Sequence, residues 1–264
     1  MIDLFYPQLA SGAIAHYPIR KSSSTRTVTN VLPGGSIVLY PDDAARRTTW
    51  SWDYVGITLD EAALLRSFFQ ACDGPLRPFT FLDPAGNLLS AGSNIRDPAW
   101  QLSSALALSD LPGPIAGAGA FTVVNQSQAI QEIKQTLNIP SSYAYCFSLY
   151  ARSVTQQSMT LFRSSLHSEE LVPFEIGPDW KRVWSAGSLQ DQTSGLSVGL
   201  RIHAGQQVSL SAAQLQAQPS LSPYRIGLQT GSIYTNAHWA IEELNIQYLG
   251  PNSCAVSVAI EASV

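Results

Sequence analysis

One segment of this 264-residue chain carries a complete helix signature, and it decides what the neighbouring strands must do. In Thr58–Cys72, TLDEAALLRSFFQAC, Thr58 and Glu61 stand at the spacing of a capping box. In that motif the hydroxyl and the carboxylate satisfy backbone N–H groups that a helix start leaves open. Leu65, Phe68, Phe69 and Cys72 recur at helical spacing, and Gly74-Pro75 stops the element. A helix with one apolar stripe has to cover an apolar sheet face. The segment before it offers one: strict alternation in TTWSWDYV puts Trp50, Trp52 and Tyr54 on one side of a strand. RPFTFLDP reads as the strand after the helix. AIAHYPIR, RTVTNVL and SIVLY read as strands before it, the last two parted by Pro33-Gly34-Gly35. The first ninety residues thus read as a small antiparallel sheet carrying one helix.

After Gly92 the pattern changes. IRDPAWQLSS and SDLPGPIAGAGAFTVVN are rich in turn residues with short strands between them, and QAIQEIKQTLNI fits either a short helix or a strand. YAYCFSLYARS alternates, with Tyr143, Tyr145, Phe147 and Leu149 against Ala144, Cys146, Ser148 and Tyr150. SMTLFRSS, WKRVWSAGS, LSVGLRIHA and QVSLSAAQLQA follow as four more strands. Many short strands separated by turns indicate a β-sandwich or jelly roll. The chain closes on SCAVSVAIEA, where Cys254, Val256, Val258 and Ile260 share one face. Residues 93–231 hold eight basic and eight acidic residues, whereas residues 232–264 hold Glu242, Glu243 and Glu261 and no Lys or Arg. The expected fold is mainly β. Residues 1–92 and 232–264 form one discontinuous domain, a small antiparallel sheet or sandwich with one helix, and residues 93–231 form an inserted jelly-roll sandwich.

Apolar residues make up 45% of the chain, enough for real cores, while charged residues make up only 13%, about half the usual share. So few charges suit a protein that hides surface in an assembly. The net charge is −4 and no basic run exceeds two residues, which argues against nucleic-acid binding. No apolar stretch approaches the ~20 residues of a membrane span. The first residues, MIDLFYPQLASG, lack a basic stretch followed by an apolar run, so no secretory leader is expected. Cys72, Cys146 and Cys254 are far apart and read as buried free thiols.

Gly195-Leu196-Ser197-Val198-Gly199 matches the G-x-S-x-G of a nucleophile elbow, but that motif needs a strand, a sharp turn and then a helix. Ser197 instead lies inside an alternating strand, and His203 on the same strand is about 20 Å away. The acidic pairs Asp42-Asp43, Glu169-Glu170 and Glu242-Glu243 read as solvated loops. As sequence neighbours they do not make the facing carboxylates, ~5 to 9 Å apart, that glycoside hydrolysis needs. His16, His167, His203 and His238 show no ligand spacing. The expectation is therefore no catalytic residue, no metal and no cofactor. Aromatic residues of the middle segment are the alternative source of function, because exposed rings stack on sugars whereas the same rings buried are ordinary core. The candidate carbohydrate contacts are Trp100, Tyr150, Trp180 and Trp184.

Two parts of the chain resemble known families. The order TWSWDYVGITLDEAALLRSFFQACDGPLRPFTFLDP resembles phage distal tail and minor tail-tip proteins. These show an aromatic strand, a capped helix ending in an aromatic pair, a Gly, and a strand of the form F-x-F-x-D-P. YLGPNSCAVSVAIEA resembles their last strand pair. The middle segment resembles carbohydrate-binding modules of phage tail and cell-surface proteins, through WKRVWSAGS and then LRIHAGQQVSLSAAQLQAQPSLSPYRI. Gln214-Leu215-Gln216 replaces the Q-L-E of that pattern, and Ser222-Pro223-Tyr224 stands near its T-S-Y, so a carboxylate is missing at Gln216.

The resemblance implies a non-enzymatic component of a virion tail tip or baseplate, assembled as a homo-hexameric ring. Tail tube and tail hub proteins would be its neighbours, and host-surface glycans would be ligands of the insert. The alternatives are a free lectin-like module and, behind it, a tail-associated glycan hydrolase.

Overall fold

The computed structural model describes residues 4–228 and 230–263; residues 1–3, part of the stretch read for a leader, lie outside it. The chain divides into two units, Met1–Phe81 with Tyr234–Val264, and Leu82–Ile233. Among the described residues the fold is mainly β, with antiparallel sheets and one helix.

The first unit is built on one sheet. Its strands are β1 (Arg20–Val31), β2 (Ile37–Ile57), β3 (Phe79–Leu82), β14 (Ile233–Trp239), β15 (Ile246–Gly250) and β16 (Ser253–Ser263), in the order β1-β2-β16-β14-β3 with β15 also on β16. The register sets Trp50 opposite Ile260, Trp52 opposite Val258 and Tyr54 opposite Val256. Directly opposed residues share a face, so the two alternating segments bury the same side, and all six side chains are buried. Helix α1 (Leu59–Ala71) has the capping box: the Thr58 hydroxyl accepts from the Glu61 N–H, and the Glu61 carboxylate accepts from the Thr58 N–H at 2.9 Å. It buries Ala62, Leu65 and Phe68. The Phe68 ring meets Tyr6, Phe79 and Trp239 at 5.2–6.0 Å, whereas Phe69 is half-buried and touches Trp239. AIAHYPIR is not a strand: the ladder starts only at Arg20. Pro18 has no N–H to give one, and the chain instead wraps so that the Ile14 carbonyl accepts the Tyr54 hydroxyl.

Part of β1 and β2 leaves this sheet. β16 ends at Ser263, opposite Arg47. From the pair Arg26–Asp42 to the pair Val31–Ile37, β2 has β1 as its one neighbour among the described residues. The register puts Val28, Val38 and Tyr40 on one face of this ribbon, and Val31, Ile37 and Leu39 on the other. Val31, Ile37 and Leu39 are 69%, 64% and 62% exposed.

The second unit is a β-sandwich of two five-stranded sheets. One has the order β10-β9-β12-β7-β4, from β4 (Gln101–Leu102), β7 (Gln131–Pro140), β9 (Gln157–Ser164), β10 (Glu169–Ile176) and β12 (Ser194–Ile202). The other has the order β11-β8-β13-β6-β5, from β5 (Leu106–Leu111), β6 (Ala120–Asn125), β8 (Tyr145–Arg152), β11 (Lys181–Gly187) and β13 (Gln207–Gln216). The ambiguous QAIQEIKQTLNI is β7, where Ile133, Gln135, Leu137 and Ile139 are buried with period two. Glu169-Glu170, read as a solvated loop, opens β10. This edge strand is hidden in the sequence by its two acids and by Pro173, which an edge tolerates. Glu170 pairs with Arg163. Arg163 is 1% exposed, and its guanidinium reaches from β9 to the Tyr145 and Gly187 carbonyls of the facing sheet at 2.8 and 2.5 Å.

The sequence reading carries the first domain to residue 92, but residues 82–92 belong to the second unit. The Asn87 side chain donates to the Ala213 carbonyl at 2.9 Å and accepts from the Leu215 N–H at 3.0 Å, which fastens this segment to β13. The segment's neighbour at the far end of the unit is Ser232: its carbonyl accepts from Asp83 N–H at 3.1 Å, and its N–H donates to the Asn87 carbonyl at 3.0 Å.

Two predictions follow from these cores. Phe68→Ala should cost about 3–5 kcal/mol in urea denaturation followed by tryptophan fluorescence, and Phe69→Ala should cost less. The second concerns Asp191, whose carboxylate accepts from the Ser165 hydroxyl at 2.6 Å, the His167 N–H at 3.1 Å and the Thr193 N–H at 2.9 Å. The Ser165 hydroxyl first, with the backbone donors, holds this carboxyl well below the usual carboxylate range. A depressed folded-state pKa stabilises above the unfolded value of about 3.9, and the contribution fades as pH falls. Asp191→Asn, which turns one acceptor into a donor, should therefore lower Tm at pH 7. Its gap to the wild type should narrow as pH drops below about 4; a constant gap across that range would contradict this role.

Candidate functional site

The four candidate rings separate once the register is known. On β11, alternation puts Arg182 and Trp184 on one side, and the register sets them opposite Tyr150 and Ser148 of β8. One step before the strand, Trp180 stands beside Arg152, whose guanidinium lies 4.8 Å from its ring centroid. Arg182 lies 5.7 Å from the Tyr150 ring. A cation over an aromatic face is attracted by the ring quadrupole, so each pair fixes the other's orientation. Tyr150, Trp180 and Trp184 thus share the outer face of the β11-β8-β13-β6-β5 sheet, and Trp184 on its edge strand is 50% exposed. Trp100 does not join them. It is 4% exposed, its indole donates to the Ala91 carbonyl at 3.3 Å, and its ring lines the interior with Phe121, Leu149 and Leu200. Its place in a turn hid from periodicity which way it points, and it is core.

Half of this outer face is closed. The chain after β13 crosses over it, and Gln214 and Gln216 beneath are 0% and 1% exposed. The Gln214 amide oxygen accepts from the Arg225 N–H at 2.7 Å, and that of Gln216 accepts from the Ser222 hydroxyl at 2.7 Å. Arg182 donates to the Ser222 carbonyl at 2.6 Å and to the Ser148 hydroxyl at 2.9 Å. The two motif fragments of the sequence, Gln214-Leu215-Gln216 and Ser222-Pro223-Tyr224, are therefore fastened to each other. The neutral amide at Gln216 suits a buried position where a carboxylate would be costly. Across from Gln216, burial pushes the Cys146 thiol up to about 11, so it stays protonated at neutral pH. Burial likewise raises the Tyr224 phenol and lowers the Arg182 guanidinium from their ordinary values.

The other half is open. A cleft of about 340 Å³ is lined by Leu111, Thr122, Arg152, Ser153, Val154, Pro178, Gln207 and Ser209. Arg152, Ser209 and Thr122 are successive neighbours across β8, β13 and β6. The Thr122 and Ser209 hydroxyls are 3.2 Å apart on its floor. A volume of this size is within the range of small-ligand sites. Sequence reasoning found the rings but missed Arg152, Ser209 and Thr122, because their convergence is set by strand register and carries no local pattern.

The G-x-S-x-G segment lies within β12, where the strand runs on through Ser197 to Ile202. The Ser197 hydroxyl is 2.7 Å from that of Thr136 on β7. No strand–turn–helix surrounds it among the described residues. Glu169 and Glu132 both pair with Arg201, at 2.7 and 3.0 Å. Cys72, Cys146 and Cys254 are free and buried. Among the described residues no three His, Cys, Asp or Glu side chains gather as a metal site, and no helix is long and apolar enough to cross a membrane.

No family profile matches this chain, and no curated protein matches it in sequence. Among solved structures it is similar to the enzymatically active domain of tailspike protein 4 of bacteriophage CBA120, with a TM-score of 0.41 and 11% identity over 52% of this chain and 22% of that one. It is similar to the CBM22-1 xylan-binding domain of Paenibacillus barcinonensis Xyn10C, with a TM-score of 0.38 and 11% identity over 55% of this chain and 95% of that one. A third is TmCBM61 in complex with β-1,4-galactotriose, with a TM-score of 0.35 and 16% identity over 45% and 88% of the two chains. The match thus spans about a fifth of the tailspike chain. Likenesses at this level assign neither family nor ligand.

Proposed function

We propose that this chain is a structural subunit of the tail tip of a phage or phage-like particle. In this reading the first unit assembles with copies of itself into a ring, and the second unit is a glycan-binding sandwich for host-surface sugars. The observation that carries the reading is the ribbon of residues 26–42. A two-stranded ribbon is marginal on its own in water, and exposed apolar strands with free edges are templates for pairing. This ribbon presents Val31, Ile37 and Leu39 on one face and Val28 and Tyr40 on the other, all exposed. Neighbouring copies covering both faces would remove both liabilities, and a head-to-tail contact that closes makes a ring. Six copies, a place in the virion tail, and tail tube and hub proteins as neighbours follow from the family resemblance of the sequence. The role needs no catalytic step, so the chain is taken as a non-enzyme.

A second reading, a glycan-binding module acting alone, is favoured by the row of Trp180, Arg152, Tyr150, Arg182 and Trp184 on one sheet face. The two readings share the sugar contact and differ in association.

Light scattering on the purified full chain should give a mass of several chains, with six as the expected number. Val31→Ser, Ile37→Ser and Leu39→Ser together should reduce it to one chain with unchanged circular dichroism. A wild-type monomer at tens of micromolar (~10–50 µM, where weak interfaces are populated) would defeat the ring and leave the lone module. On a glycan array, Trp184→Ala should weaken retention about threefold to tenfold, the worth of one aromatic contact. Unchanged retention would remove this row from the binding surface.

A further inference from the structure

We infer that the open cleft of the second unit takes a carboxylate-bearing sugar, a hexuronate of an acidic polysaccharide, with Arg152 as its anion contact. The inference rests on the glycan-binding reading above and adds the chemical class of the ligand. Arg152 is the one charged residue of the lining. Arg163, Arg182 and Arg201 donate to carboxylates, carbonyls or hydroxyls. The Arg152 guanidinium makes no ion pair or side-chain hydrogen bond among the described residues, and it lies over the Trp180 ring, 4.8 Å from the centroid. An arginine held in place by an aromatic face, with its donor fork unspent, is built to receive a planar acceptor, and a carboxylate accepts that fork with two parallel bonds.

The rest of the cleft suits a pyranose ring. Leu111, Pro178 and Val154 offer apolar edges, and Val154 is 80% exposed. The Ser209 and Thr122 hydroxyls, paired at 3.2 Å, can each exchange that bond for a sugar hydroxyl. Three carboxylates stand on nearby strands and turns, and one of them, Asp110 next to Leu111, is exposed and ion-paired with Arg96 at 3.4 Å. Asp179, next to Pro178, and Glu175 on β10 are both exposed and outside the lining, where water and salt screen them.

The test uses the full chain and three defined polymers: polygalacturonate, neutral xylan and dextran sulfate, in affinity electrophoresis and calorimetry. Polygalacturonate should bind most tightly, with an affinity that falls as salt rises. Arg152→Gln should lower that affinity roughly tenfold to hundredfold, the worth of charge-assisted hydrogen bonds, and leave any xylan affinity unchanged. Arg152→Lys, which keeps the charge but not the fork, should fall between them and so separates recognition from folding. Equal binding of xylan and polygalacturonate would overturn the acidic assignment while the glycan-binding reading stands. Preference for dextran sulfate alone would overturn the carboxylate. Binding of none of the three, nor of any glycan on the array, would sink both.

Discussion

The ladder between β2 and β16 is the constraint from which the rest of the chain's organisation follows. It runs from Ile57 to Arg47 against Cys254 to Ser263, so residues near the start of the chain pair with its last described ones. Trp50, Trp52 and Tyr54 can be buried only if Ile260, Val258 and Val256 complete their face. Everything between β3 and β14 must then leave this sheet and return to it. That intervening stretch has to hold together by its own means, and it does so with two complete sheets and a buried arginine.

Arg163 shows what such self-sufficiency costs. A guanidinium taken out of water is expensive unless its donors are met. Here two carbonyls of the opposite sheet and the Glu170 carboxylate accept three bonds from the guanidinium, and the Nε atom is left over. The gain is a directional tie between the two sheets, beside the bond that the Tyr145 hydroxyl donates to the Pro140 carbonyl at 2.8 Å. Asp191 plays the matching part in the loops, gathering donors from Ser165, His167 and Thr193.

What could be read from the sequence was whatever depends on spacing within one element. The capping box of Thr58 and Glu61, the aromatic face of TTWSWDYV and the inward residues of SCAVSVAIEA all stand as their periodicity implies. What could not be read depends on a partner strand. β10 carries Pro173 and two adjacent acids and looks like a loop until β9 is set beside it. Trp100 sits in a turn where no period says which way it points. Asn87 looks like part of a turn until its amide meets Ala213 and Leu215, more than a hundred residues on. The candidate site divides in the same way: Tyr150, Trp180 and Trp184 were visible as ring types, whereas Arg152, Ser209 and Thr122 come together only through the register of three strands.

The bonds between Asp83 and Ser232 and between Ser232 and Asn87 bring the chain's departure and return to adjacent positions. In polymer terms the second unit is a loop whose ends are already closed by its own folding. A flexible insertion of that length would charge the host sheet an entropy that grows with the logarithm of loop length. A prefolded one presents only its two neighbouring ends and removes nearly all of that term. The host is then indifferent to what the insertion contains, provided that the ends still meet. One sandwich could be exchanged for another without disturbing the sheet that carries it.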